Sequence, residues 1–201
     1  MLAGALFACA KSAPAASDAG PPPAPSVGLD AASNDPKVVD LVRPVLACPW
    51  TEKGFESGCA ALQAYRSAPE VKGPSADTTL MAMLDDPRDQ VRWLAGVGLS
   101  EAPRPVHRDV ARAKLLLEAA RREKDPRVGT ELGFALGEVD LAATKLEPEV
   151  RALVASHPLP PLRLATVSRT LKGNPSMFEP VLALARAESD ASVRRAALNA
   201  L

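Results

Sequence analysis

The chain has 201 residues, 47% hydrophobic but only 3% aromatic, with 24 Lys plus Arg balancing 24 Asp plus Glu. Its apolar content is mostly Ala, Leu and Val, which suits closely packed helices better than strands. The zero formal charge argues against a dedicated nucleic-acid binder, which carries a basic excess. No apolar run reaches the roughly 18 residues that a membrane-spanning helix needs.

At the N-terminus, "MLAGALFAC" is apolar and rich in small residues, and Lys11 is the first charge. Leu6, Phe7, Ala8 and Cys9 resemble the lipobox that ends a bacterial lipoprotein signal peptide. The resemblance implies that Cys9 becomes a lipidated N-terminus and that the protein sits in a bacterial cell envelope, facing the periplasm or the exterior. Residues 1–9 are then the signal remnant. Residues 10–35 carry Pro14, Pro21, Pro22, Pro23 and Pro25 among Ala, Ser and Gly, a composition that builds no core. They are expected to form a disordered tether that spans roughly 30 Å as a coil.

"DPKVVDLVRPVLAC" and "GCAALQAYRSA" predict a helix pair, Pro36 to about Arg66, within an N-terminal capping unit over 36–73. Cys48 and Cys59 bracket the polar "PWTEKGFESG" between them. Two readings stand: separate buried thiols, or a disulfide of up to roughly 3 kcal/mol in an oxidising compartment. Their spacing matches no zinc pattern.

From 74 to 201 the chain repeats itself. Apolar or small residues fall at Val91, Leu94, Ala95, Gly98 and Leu99, tracing one helix face. The same offsets from Val128 give Leu132, Ala135 and Leu136, with Glu131 as one polar exception. From Val193 they give Ala196, Ala197, Ala200 and Leu201, and "PLRLATVSRTLKG" supplies a degraded copy between. Each copy follows another helical pattern, in "DTTLMAMLDD", "HRDVARAKLLLEAARREK", "EPEVRALVASH" and "MFEPVLALARAE". The second of these pairs Lys114 with Glu118 and Glu118 with Arg122 on its solvated side. Asp86-Pro87 and Asp125-Pro126 place an N-cap before a proline at the first helical position, and Asp190 stands where Asp125 does.

"DDPRDQVRWLAGVGL", "KDPRVGTELGFALG" and "SDASVRRAALNAL" resemble short bacterial HEAT-like repeats of the phycobilisome-lyase type. The resemblance implies an all-α fold: an α-solenoid of about four antiparallel helical hairpins, each burying its inner face against a neighbour. It also implies a hydrogen-bonded ladder between repeats, with Asp86 and Arg92 at the two ladder positions and Arg194 at the second. Gly129 replaces the arginine in the middle copy.

Chemistry-bearing patterns are few. His107 and His157 stand without metal-ligand spacing and are expected at surface or capping positions, and Trp50 and Trp93 in the core or between repeats. No nucleophile, phosphate loop or zinc motif occurs, so neither an enzyme nor a cofactor is expected. Arg92, Arg163, Arg169, Arg194 and Arg195 all lie on second helices. Arg163, Arg169 and Arg195 form a candidate surface for an acidic partner, with ladder bonding as the competing role. The expected function is a non-catalytic scaffold that binds a partner protein and meets the membrane only through its lipid. The alternatives are a HEAT-like lyase or cofactor-handling protein, and a cytosolic adaptor.

Overall fold

The computed structural model describes residues 28–101, 105–171 and 174–201, and Cys9 with its lipobox lies outside them. Among the described residues the fold is all-α apart from one ribbon of two two-residue strands. Helix α1 (Pro36–Val45) is capped by Asp35, whose carboxylate accepts the Lys37 N–H, with Pro36 at the first helical position. Strands β1 (Trp50–Thr51) and β2 (Gly54–Phe55) pair antiparallel, Trp50 opposite Phe55. Helices α2 (Ala60–Ser67) and α3 (Pro69–Lys72) follow, and α1 packs against both. Residues 28–35 are part of the folded structure rather than of the expected tether, and the Asp35 N–H donates to the Thr79 hydroxyl at 2.7 Å. Leu29 is buried and donates its backbone N–H to Asp86 at 2.9 Å.

Helices α4 (Asp77–Met83), α5 (Asp89–Ser100), α6 (Val110–Arg122) and α7 (Pro126–Gly137) come next. A short α8 (Leu141–Thr144) ends at Lys145, which takes the left-handed conformation at φ 58°. Then come α9 (Glu147–Ser156), α10 (Pro160–Thr170), α11 (Phe178–Ala187) and α12 (Ala191–Ala200). Helices α4, α6, α9 and α11 each pack on the helix that follows, while α5 packs on α7, α7 on α10 and α10 on α12. Val91, Leu94, Val128, Leu132, Leu162 and Val193, which belong to the periodic pattern, are buried in one continuous core, while Leu201 of the last copy is exposed. Among the described residues no helix is long and apolar enough to cross a membrane.

Small residues set how closely the consecutive helices approach. Gly129, Gly133 and Gly137 recur every four residues along α7 and face α10. A Cβ on Gly133 would lie 2.5 Å from the Leu162 carbonyl oxygen and 2.8 Å from the Ala165 Cβ, and one on Gly137 would lie 2.6 Å from the Arg169 Cβ. The two backbones therefore meet without side chains between them. On the other side of α7, a Cβ on Gly96 of α5 would fall 2.7 Å from the Cβ of Glu131.

Gly133→Ala forces α7 and α10 apart, because the obstructing atom is backbone. The expected cost is about 1–3 kcal/mol, the usual range for overpacking, read from urea denaturation. Gly58, whose added Cβ would meet nothing within 4 Å, provides the silent control as Gly58→Ala.

Candidate functional site

Four turns share one device that sequence comparison did not isolate. Asp86, Glu123, His157 and Glu188 each stand five residues before Val91, Val128, Leu162 and Val193, the first core residue of the next helix. All four are buried. Each side chain accepts the backbone N–H two residues on: Arg88 to Asp86 at 2.9 Å, Asp125 to Glu123 at 2.9 Å, Leu159 to His157 Nδ1 at 3.2 Å, and Asp190 to Glu188 at 2.9 Å. A turn N–H withheld from water needs such an acceptor.

A buried carboxylate in turn needs a countercharge; Asp86 takes it from Arg88 of its own turn, at 2.8 Å, and Glu123 and Glu188 from the preceding helix of the row. Arg92 of α5 bonds both oxygens of Glu123, at 2.9 and 3.0 Å. Arg163 of α10 bonds Glu188 at 2.6 Å. In the turn between them the arginine position is Gly129 and the acceptor is the uncharged-capable His157. Burial alone would raise Glu123, but Arg92 and the N–H groups of Asp125 and Lys124 outweigh it, so its carboxyl titrates below the ordinary value. Asp86 and Asp125 are lowered against the same burial penalty by Arg88 and Arg127 respectively, with backbone N–H groups.

These bonds revise the expected roles. Asp86 does not cap α5: that helix starts at Asp89, and Asp86 occupies the register of Glu123, not of Asp125. The caps are Asp125 on α7 and Asp190 on α12. Arg92 reaches Glu123 rather than a turn aspartate of the next unit. Arg194 donates to the carbonyl of Glu188 in its own turn at 2.9 Å, as Arg92 does to that of Asp86. Of the expected partner surface, Arg163 is held by Glu188 and Arg169 by Glu138 and the Ser100 carbonyl, at 3.2 and 2.8 Å. Arg195 is exposed on α12. The histidines are not surface residues: both are buried, and His157 is a turn acceptor.

The surface that remains chemically open lies along α7. Arg127, Glu131, Phe134 and Glu138 form one stripe on that helix, each half-buried. It is flanked by Trp93 of α5 and Arg169 of α10. Arginines lie over aromatic rings along its length, Arg127 over Trp50 at 4.3 Å, Arg169 over Phe134 at 4.6 Å and Arg66 over Trp93 at 5.7 Å. Cys48 and Cys59 are disulfide-bonded and close the ribbon that delivers Trp50. Trp50, Phe55 and Trp93 pack edge to face with centroids 4.7–6.0 Å apart. Gly54, at φ 104°, lies so close to Trp93 that a Cβ would come within 2.9 Å of the indole. Arg127 also donates to the Thr51 carbonyl at 2.9 Å, fastening the ribbon to α7.

Glu131 sits in the middle of this stripe. Burial pushes its carboxyl up to about 7, with Glu101 adding to the rise and Arg66 and Arg169 opposing it. Elsewhere a groove of about 670 Å³ opens beside α9 and α11, floored by Val154, Met177, Val181 and Leu184. Its Arg163 and Glu188 are bonded to each other. Among the described residues no cluster of three or more His, Cys, Asp or Glu is placed to hold a metal ion. No protein-family model matches the chain, and no curated protein or solved structure matches it either.

Two stability experiments follow from these groups. Arg92→Ala leaves Glu123 buried and unpaired, for an expected loss of about 3–5 kcal/mol, and adding Glu123→Gln returns part of that loss in a double-mutant cycle. Glu131 acts in the opposite sense. Its folded value lies above its unfolded value, so its contribution is lost as pH rises from about 4.5 to about 7. Glu131→Gln is therefore expected to stabilise the protein by about 2 kcal/mol at pH 8 and by almost nothing near pH 4.5, again by urea denaturation.

Proposed function

We propose that this chain is a HEAT-like helical-repeat solenoid serving as a non-catalytic protein-interaction scaffold, held at a bacterial envelope membrane by a lipid on Cys9. The reading of the architecture is supported by the recurrent turn, in which a buried acceptor organises the start of one helix and, at Glu123 and Glu188, an arginine of the preceding helix ties it back. Helical repeats that pack chiefly on their sequence neighbours stack in this way. The observation that carries the interaction role is the half-buried stripe on α7, bordered by arginine–aromatic pairs and centred on Glu131. Partly exposed aromatic and arginine side chains on a rigid backbone are the usual anchors of a protein interface. The Cys48–Cys59 disulfide supports an oxidising, exported location.

The test places a photo-crosslinking amino acid at Phe134 in the native host, with Leu115 as control because it is apolar and 54% exposed on α6. A discrete adduct from position 134 and none from 115 is expected. Equal, diffuse labelling from both would overturn the scaffold reading. In the same cells an alkyne fatty acid should label the wild type but not Cys9→Ser, and an unlabelled wild type removes the lipid anchor.

A further inference from the structure

We propose that Glu131 is the anchor for a single cationic side chain, lysine or arginine, presented by a partner protein to the face shared by α5, α7 and α10. The inference rests on the scaffold reading and specifies the partner's chemistry. It comes from pairing the charges on that face. Arg66 of α2 and Glu101 at the end of α5 lie 3.7 Å apart, and Arg169 of α10 and Glu138 at the end of α7 lie 3.2 Å apart. Arg127, at the head of the stripe, is held by Asp125. Each arginine near Glu131 thus has its own carboxylate. Among the described residues no donor lies within hydrogen-bond distance of Glu131, and Arg66 and Arg169 act on it only at longer range.

That charge is only partly open to water. Glu131 is half-buried, and its Cβ rests on Gly96 of α5. A half-buried carboxylate without a hydrogen-bond partner is less well solvated than an exposed one, and an arriving ammonium or guanidinium group supplies the missing countercharge. The adjacent Phe134, three residues on and half-buried, offers an aromatic surface to the stem of the same side chain. A metal ion fits less well, since hard cations take six or more oxygen ligands and no acidic cluster of that kind exists among the described residues. An acidic partner would have to displace Glu101 or Glu138 and would face Glu131 as well.

Binding of a cation requires Glu131 in its ionised form. The carboxyl is held up to about 7 by burial, with Arg66, Arg169 and Glu101 as the charged groups around it. Occupation therefore expels a proton below that value, and affinity rises with pH and then levels off. Acetylated, amidated hexalysine and hexaglutamate are the probes, titrated into the full chain with Trp93 fluorescence as signal. Hexalysine should bind about 30-fold more tightly near pH 8 than near pH 5.5, the ratio of ionised fractions for a group titrating near 7. Glu131→Gln should bind it weakly and equally at both. In the wild type, the carbon NMR titration of the Glu131 carboxyl should move to lower pH when hexalysine is present, a readout that needs no variant to fold. Equal hexalysine affinity of wild type and Glu131→Gln at pH 8, an unmoved titration, or preference for hexaglutamate each overturns the proposal. If hexalysine fails while the crosslinker at position 134 still gives its adduct, the cation anchor falls and the scaffold stands. If both fail, both fall.

Discussion

A buried hydrogen-bond acceptor in the turn, five residues ahead of the first core residue of each helix in the row, is the constraint from which the rest of this structure follows. Where helices meet end to end with little exposed loop, the turn N–H two residues beyond that position is closed off from water. A side chain must then receive it. A short acid or an imidazole does so, and the choice has consequences. The acid brings a charge into the interior, so an arginine must reach it: Arg88 of the same turn at Asp86, and an arginine of the preceding helix of the row at Glu123 and Glu188. Arg92 to Glu123 and Arg163 to Glu188 are bonds that satisfy the turn and fix the spacing of two helices at once. Where the arginine is missing, at Gly129, the acceptor is His157, which can receive the N–H without a charge. The exception follows the same electrostatic rule.

Glycine placement completes this spacing. With Gly129, Gly133 and Gly137 turned toward α10, helices α7 and α10 meet backbone to backbone, closer than side chains of ordinary size permit. On the α5 side Gly96 lets Glu131 settle against the helix. The consequence is electrostatic: drawing the helices together half-buries Glu131, and burial is the largest influence on its titration. Packing and chemistry at Glu131 therefore have one cause. The disulfide-closed ribbon works from the other end, bringing Trp50 to Arg127 and Gly54 to Trp93.

The helices were legible because each carries an apolar stripe at the helical period, and most stripe residues are buried; Leu201 at the end of the last stripe is exposed. The turns were not, and Asp86 shows why. The dipeptide Asp-Pro occurs at 86 and at 125, and composition invites aligning the two. Counting back from Val91 and Val128 gives five residues in one case and three in the other, so equal dipeptides occupy different positions. The matching residues, Asp86, Glu123, His157 and Glu188, differ in type and share only their offset. The ribbon escaped notice because two-residue strands have no period to read. Glu131 was visible as the single polar residue on an otherwise apolar helix face. Its meaning came only with Gly96, which the fold places beneath it from 35 residues away in the chain.

In a chain with equal numbers of acidic and basic groups, total charge says nothing about where recognition lies, and neither does a row of arginines. Arg92, Arg163 and Arg169 look like a basic surface until each is traced to Glu123, Glu188 and Glu138. A paired arginine offers little to a partner, because the partner's anion must first displace the native one, and the displaced carboxylate must be solvated again. An unpaired carboxylate has the reverse property, since its partner arrives with nothing to displace. On the α7 stripe the informative quantity is therefore the remainder after pairing, and that remainder is Glu131.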